Sequence, residues 1–146
     1  MRQWMCNPLI LCQKHLGGEH VESHMFVGTL KKKIRIDGYI KNNLVEPISI
    51  HARHNVLAWE MIRRNMIKGK TPIKHKSPIN ADELFSYMSY LPGEYINFKI
   101  DQKKALNDLL NRCLECRRRY ILLVKYELDP FNSFYLPPEY DTFKRL

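Results

Sequence analysis

Apolar residues recur at helical spacing in three long stretches of the chain. Leu9, Cys12, Leu16, Phe26 and Leu30, with polar residues between them, predict a first helix from about Pro8 to about Lys32, and Asn7-Pro8 supplies an N-cap with proline in the first turn. Gly17-Gly18 interrupts this pattern at about 1 kcal/mol per glycine relative to alanine, which predicts a bend or a close approach by backbone or ligand. After the connection marked by Gly38-Tyr39 and Asn42-Asn43, a second helix opens at Glu46-Pro47, carries Ile50, His54, Leu57, Ala58 and Met61 on one stripe, and ends near Arg64 or Asn65. A third starts from Asp101 as N-cap and places Ala105, Leu106, Leu109, Leu110, Cys113 and Leu114 on one face before Arg117-Arg118-Arg119, which suits the negative end of a helix dipole. Asn80-Ala81-Asp82-Glu83 predicts a short helix through Tyr90, ended by Pro92-Gly93. Tyr120 to Leu128 fits a short strand or an extension of the third helix, and the aromatic and proline residues from Asp129 onward predict an irregular tail.

With 146 residues and 45% apolar content the chain is long enough for one core, so neither disulfides nor a structural metal are required for stability. The longest apolar runs fall far below a membrane span, and Met1 to Pro8 has no secretory character, so an intracellular location is expected. Charge changes the picture more: 24 Lys and Arg against 15 Asp and Glu leave a net +9, which points to a polyanionic partner, with nucleic acid ahead of a membrane surface. Six basic residues and no acid between Arg63 and Lys76, with Gly69 and Pro72, predict a basic loop. The four cysteines, Cys6, Cys12, Cys113 and Cys116, form two pairs from which a zinc site is conceivable, but they read first as core or surface thiols: Cys6 and Cys12 are poorly spaced for chelation, and Cys113-x-x-Cys116 lies inside an apolar helical repeat.

On the first predicted helix His15, Glu19 and Glu22 fall at i, i+4 and i+7 and so share one face over two turns. Taken alone, such a face is usually solvated. The pattern His15-Leu16, then Glu19, then Glu22, with Arg2 at the start of the chain, resembles the pyrimidine dimer DNA glycosylases of the phage endonuclease V type. Phe26-Val27-Gly28 followed by Lys31-Lys32-Lys33, the basic end of the second helix at Arg63-Arg64, and Arg117-Arg118-Arg119-Tyr120 continue the resemblance over about residues 1 to 120.

The resemblance implies an all-α fold of three main helices in a single compact domain, residues 1–128, with long loops and the tail 129–146. It also implies a cofactor-independent repair enzyme acting as a monomer on lesion-containing double-stranded DNA. The N-terminal amine would attack the sugar C1′, expel the base and form a Schiff base, and β-elimination would follow. Met1 falls in register with the family's N-terminal nucleophile, and retention of Met1 is expected because Arg2 is large. Glu22 matches the assisting carboxylate, His15 a histidine near the site and Arg2 an arginine beside the nucleophile. An α-amine suits this role because its intrinsic pKa is about 8, against about 10.4 for lysine.

Phosphate contacts are then expected from Lys31, Lys32, Lys33, Arg63, Arg64, Arg117, Arg118 and Arg119. The chain departs from the family in having Val21 before Glu22 and His24-Met25 after it, where arginines are often found, which puts lesion choice in question, and a pyrimidine dimer remains the expected lesion. Two rivals remain at this level. His20 with His24, or His51 with His54, could each bind one edge of a metal in a metal-dependent nuclease, and a non-catalytic basic nucleic-acid-binding module would account for the charge alone.

Overall fold

A computed structural model describes residues 1–67 and 78–134. Among these residues there are seven α-helices and no strand: α1 (Gln13–Lys31), α2 (Asp37–Lys41), α3 (Ile50–Arg63), α4 (Ala81–Tyr87), α5 (Gly93–Ile96), α6 (Gln102–Arg112) and α7 (Leu114–Lys125). The expected all-α class holds, but the pattern of three main helices is subdivided. Lys68, Lys70, Lys74 and Lys76 of the basic loop, and the tail from Tyr135, lie outside the described residues.

The first division falls at the start of the chain. Asn7 does act as a cap, its Oδ1 accepting from the Leu9 amide at 3.0 Å, but what it caps is a 3-10 turn, Pro8–Ile10. Leu9, Ile10, Leu11 and Cys12 are all buried, and four successive buried residues cannot share one stripe of a continuous helix. The chain therefore extends through Leu11 and Cys12 before α1 begins. A second 3-10 turn, Pro47–Ser49, likewise precedes α3. The third expected helix breaks at Cys113, whose φ of −132° and ψ of 109° end α6, while its thiol accepts from the Cys116 amide and opens α7. Tyr120 to Lys125 continue α7 as helix rather than strand. Asn80 caps α4 through its contact with the Glu83 amide, as its sequence signal indicates, and α4 closes at Tyr87. Gly17-Gly18 does not stop α1.

α1 packs along α3, and α7 packs on α6 and on the first 3-10 turn. One apolar cluster joins Leu9, Ile10, Leu11 and Leu16 to Leu57, Leu106, Leu109 and Leu123; a second gathers Phe26, Leu30, Ile50, Leu84 and Met88 at the other end of α1. Residues 1–7 are not a free arm. Gln3 N donates to Leu44 O at 2.7 Å, Gln3 Oε1 accepts from Glu46 N at 2.6 Å, and Asn7 N donates to Pro130 O at 2.8 Å. Met5 sits at a φ of 54°, in the left-handed region, and its carbonyl is held by Gln102 Nε2 at 2.8 Å and by Ser133 Oγ. A methionine in that region costs roughly 1–3 kcal/mol, which these contacts offset. Asp129 to Phe134, assigned from sequence to a tail, thus includes residues that close onto the N-terminal segment, with Ser133 buried.

Candidate active site

The buried N-terminal segment delivers the first residue to the exposed side of α1. The α-amine of Met1 lies 3.9 Å from Glu22 Oε1, and the Arg2 amide donates to Glu22 Oε2 at 3.2 Å, so the carboxylate bridges the first two residues. Around this pair is a cavity of about 490 Å³ lined by Met1, Arg2, Trp4, Lys14, His15, Gly18, Glu19, Glu22, Leu44 and Arg112. All four residues matched to catalytic positions by sequence, Met1, Arg2, His15 and Glu22, therefore stand on one wall system.

Glu19 and Glu22 share a helix face but not an environment. Glu19 is fully buried and accepts Arg53 Nε at 2.7 Å and Nη2 at 3.0 Å, while Arg53 Nη1 reaches Cys6 O at 2.7 Å and Ser133 O at 2.9 Å. Its charge is spent within the core, where the Glu19 carboxylate counteracts the desolvation of Arg53 and leaves that guanidinium raised above its ordinary pKa. Glu22 keeps 31% of its side chain exposed and faces the amine. Of the two, Glu22 is the carboxylate that keeps solvent access on the cavity wall.

Three cations frame the cavity. Arg2 is largely desolvated, which lowers its pKa despite nearby Asp108; its guanidinium stacks 3.7 Å from the Trp4 ring centroid, and Nη1 lies 3.8 Å from Asp108 Oδ2. Its Nε is buried with no acceptor among the described residues. Arg112 lies 5.4 Å from the same ring, and Lys14 enters from the first turn of α1. Burial, reinforced by Lys14 and Arg112, holds His15 below the ordinary imidazole range and favours its neutral ring. The sequence reading missed Trp4, Lys14 and Arg112, while Gly18, where a close approach by a ligand was one expectation, lines the cavity. Arg112 is one basic residue among many at the end of an amphipathic helix, and only the fold brings it to Trp4.

The residues expected at phosphates fall into different settings. Lys31, Lys32 and Lys33 are exposed at the end of α1, about 14 Å of helix rise beyond Glu22. Arg63 and Arg64 both engage the buried Glu60, through Arg63 Nη2 at 2.5 Å and Arg64 Nε at 2.6 Å, and Arg64 Nη1 also donates to Leu11 O at 2.7 Å. Arg117 donates to Leu110 O and exposed Arg118 pairs with Glu115 at 2.6 Å. Arg119 is buried, donates to Leu9 O at 2.8 Å, and is pushed down to about 10 by desolvation and the nearby Arg64. Arg64 and Arg119 therefore hold the first 3-10 turn and the chain leaving it, while Lys31 to Lys33, Arg117 and Arg118 remain on the surface.

Two histidine and cysteine groupings bring together residues that sequence spacing only pairs. His20, His24 and His54 bring their ring nitrogens together between α1 and α3, with His24 Nε2 and His54 Nε2 3.1 Å apart. Cys12, Cys113 and Cys116 gather with His15, whereas Cys6 is buried elsewhere and its thiol is pushed up to about 12 by desolvation. All four cysteines are free thiols, and the fold brings three of them together with His15.

No helix among the described residues is long and apolar enough to cross a membrane. No curated protein and no solved structure matches the chain. A family model described as pyrimidine dimer DNA glycosylase matches residues 1–74, a span containing the N-terminal segment, α1 and α3. The terminal amine, its carboxylate on α1, and the packed pair α1 and α3 thus fall within the matched region, and the chain belongs to the pyrimidine dimer DNA glycosylase family.

Proposed function

We propose that the chain excises one base of a pyrimidine dimer through a Schiff base on the Met1 α-amine and then cleaves the strand by β-elimination. The observation that carries this reading is the 3.9 Å separation of that amine from Glu22 in a cavity framed by Arg2, Lys14 and Arg112. In its neutral form the amine donates its lone pair to C1′ as the glycosidic bond breaks, and the base leaves with the bonding pair and takes up a proton. The amine loses a proton, the sugar ring opens, and a protonated imine remains. Glu22 stabilises the positive charge that develops on the sugar and then removes a proton from C2′, and the 3′ phosphate leaves with its bonding pair. Hydrolysis of the imine returns the amine.

The framing cations fit the flanking phosphates, and the buried Arg2 Nε offers a donor that a phosphate oxygen or an extruded base could accept from. Trp4 supplies an aromatic surface, already stacked by Arg2, at the floor of the site. His15 lines the same cavity as a neutral ring that can donate or accept without adding charge.

Borohydride added during turnover of dimer-containing duplex should reduce the imine and leave a covalent protein–DNA adduct. Glu22→Gln should retain duplex binding and lose strand cleavage by at least 100-fold, in the range of a lost acid–base group, about 10²–10⁴. Binding without any adduct would instead support a basic binding module. The grouping of His20, His24 and His54 favours a second reading, metal-assisted phosphodiester hydrolysis, which would cleave DNA without a trappable imine and survive acetylation of the α-amine.

A further inference from the structure

Cys12 precedes α1 as its N-cap and His15 lies in its first turn; Cys113 precedes α7 as its N-cap and Cys116 lies in its first turn. The chain therefore contains two C-x-x-[CH] units at helix starts about a hundred residues apart, and the fold sets them face to face. Cys12 Sγ lies 3.2 Å from His15 Nδ1 and 3.9 Å from Cys113 Sγ, and Cys116 Sγ lies 3.6 Å from His15 Nδ1. All four ligand atoms fall within 4.8 Å of one another. In a tetrahedral zinc site with bonds of about 2.3 Å to sulfur and about 2.0 Å to nitrogen, the edges are about 3.8 Å between sulfurs and about 3.5 Å from sulfur to nitrogen.

We infer that Cys12, His15, Cys113 and Cys116 form a structural Cys3His site for a tetrahedral, thiophilic divalent cation of the zinc type. Backbone amides already point at the sulfurs, Cys12 N to Cys116 Sγ at 3.3 Å and Cys116 N to Cys113 Sγ at 3.4 Å, which is how a thiolate is stabilised beside a metal. On binding, the three thiols release their protons to solvent, the neutral imidazole donates a lone pair, and the centre carries a net charge of −1. Lys14, Arg64 and Arg119, with Glu115 as the one acid, line a neighbouring cavity with Cys12 and give that charge a net positive surround. Four protein ligands leave no open position, so the ion pins α7 to the start of α1 rather than performing chemistry.

His15 belongs to both this cluster and the candidate active-site cavity, so the metal would orient one wall of the latter. The assignment does not depend on the glycosylase reading, because metal content and ligand spectra can be read without DNA.

The test uses the full chain expressed in zinc-supplemented medium, desalted, and analysed for metal by mass spectrometry. One zinc per chain is expected. Replacement by Co²⁺ should give tetrahedral d–d bands together with thiolate-to-cobalt charge transfer, and Cys113→Ser should weaken that charge transfer while His54→Gln leaves it unchanged. A metal-free chain whose thiols react rapidly with a disulfide reagent, and which takes up Co²⁺ without charge transfer, would overturn the proposal. So would a Cys12–Cys113 disulfide in place of metal, or metal retained by Cys113→Ser and lost by His54→Gln. The wild-type cobalt spectrum decides the matter even if a cysteine variant fails to fold.

Discussion

Two glutamates one helical turn apart have opposite fates because one meets an arginine in the core and the other meets the chain terminus. Replacing Glu19 by Gln leaves Arg53 charged, fully buried and short of its bidentate partner, and should cost about 3–5 kcal/mol of stability. Denaturant unfolding of Glu19→Gln measures that loss; a change below about 1 kcal/mol would show that Cys6 O and Ser133 O suffice for the guanidinium. Glu22→Gln, by contrast, should barely alter unfolding, since its carboxylate is partly solvated and its pairing weak. Gly18 carries a different lesson. A Cβ there meets nothing within 4 Å, so Gly18→Ala should stabilise α1 by about 0.5–1 kcal/mol. A longer side chain, as in Gly18→Gln, would project beside Glu22 into the cavity, and should raise KM for dimer-containing DNA while leaving the melting temperature at or above that of the parent.

At the scale of elements, α2 and α5 are tied through one side-chain relay. Asp37 at the start of α2 accepts Arg35 Nε at 2.9 Å and the Tyr95 hydroxyl of α5 at 2.5 Å, and these bonds hold its carboxyl down at about 2. A depressed carboxyl contributes stability that is present above its unfolded value near 4 and is lost as pH falls through about 2. Unfolding free energies of the parent and Asp37→Asn should therefore differ near neutral pH and converge as pH falls from about 4 to about 2; a constant gap would remove Asp37 from the acid response. Which elements could be read from sequence follows from how local their causes are. The caps at Asn7, Asn80 and Asp101 and the stripe of α3 depend on residues within a turn or two and were legible. The break at Cys113 was not, because its apolar spacing continues through the site where a thiol caps a new turn. Met5 in the left-handed region was not either, since the bonds that hold it come from Gln102 and Ser133.

On the whole molecule, a net charge of +9 overstates the surface available to DNA. Arg53, Arg64 and Arg119 are committed to carboxylates or carbonyls of the fold, whereas Lys14 and Arg112 open onto the cavity. Removing a single phosphate-contacting cation should lower the slope of log K against log salt by about 0.9. Lys14→Gln and Arg112→Gln should each show that decrement by fluorescence anisotropy across a salt series, and Lys125→Gln should not. An unchanged slope for both cavity variants would place the DNA elsewhere. The candidate pair Met1 and Glu22 was legible because a resemblance supplied the register, and periodicity alone would have left Glu19 and Glu22 equivalent. The contact of Trp4 with Arg112, and that of the C-x-x-H unit with Cys113 and Cys116, were hidden because these partners lie about a hundred residues away along the chain.

The opening segment is anchored at Leu44 and Glu46 on one side and at Pro130 on the other, so its first nitrogen reaches position only once distant parts of the polypeptide have docked. Met1 and Glu22 are therefore brought together only by that docking. If the Met1 amine is the nucleophile, competence is acquired together with the closed tertiary structure.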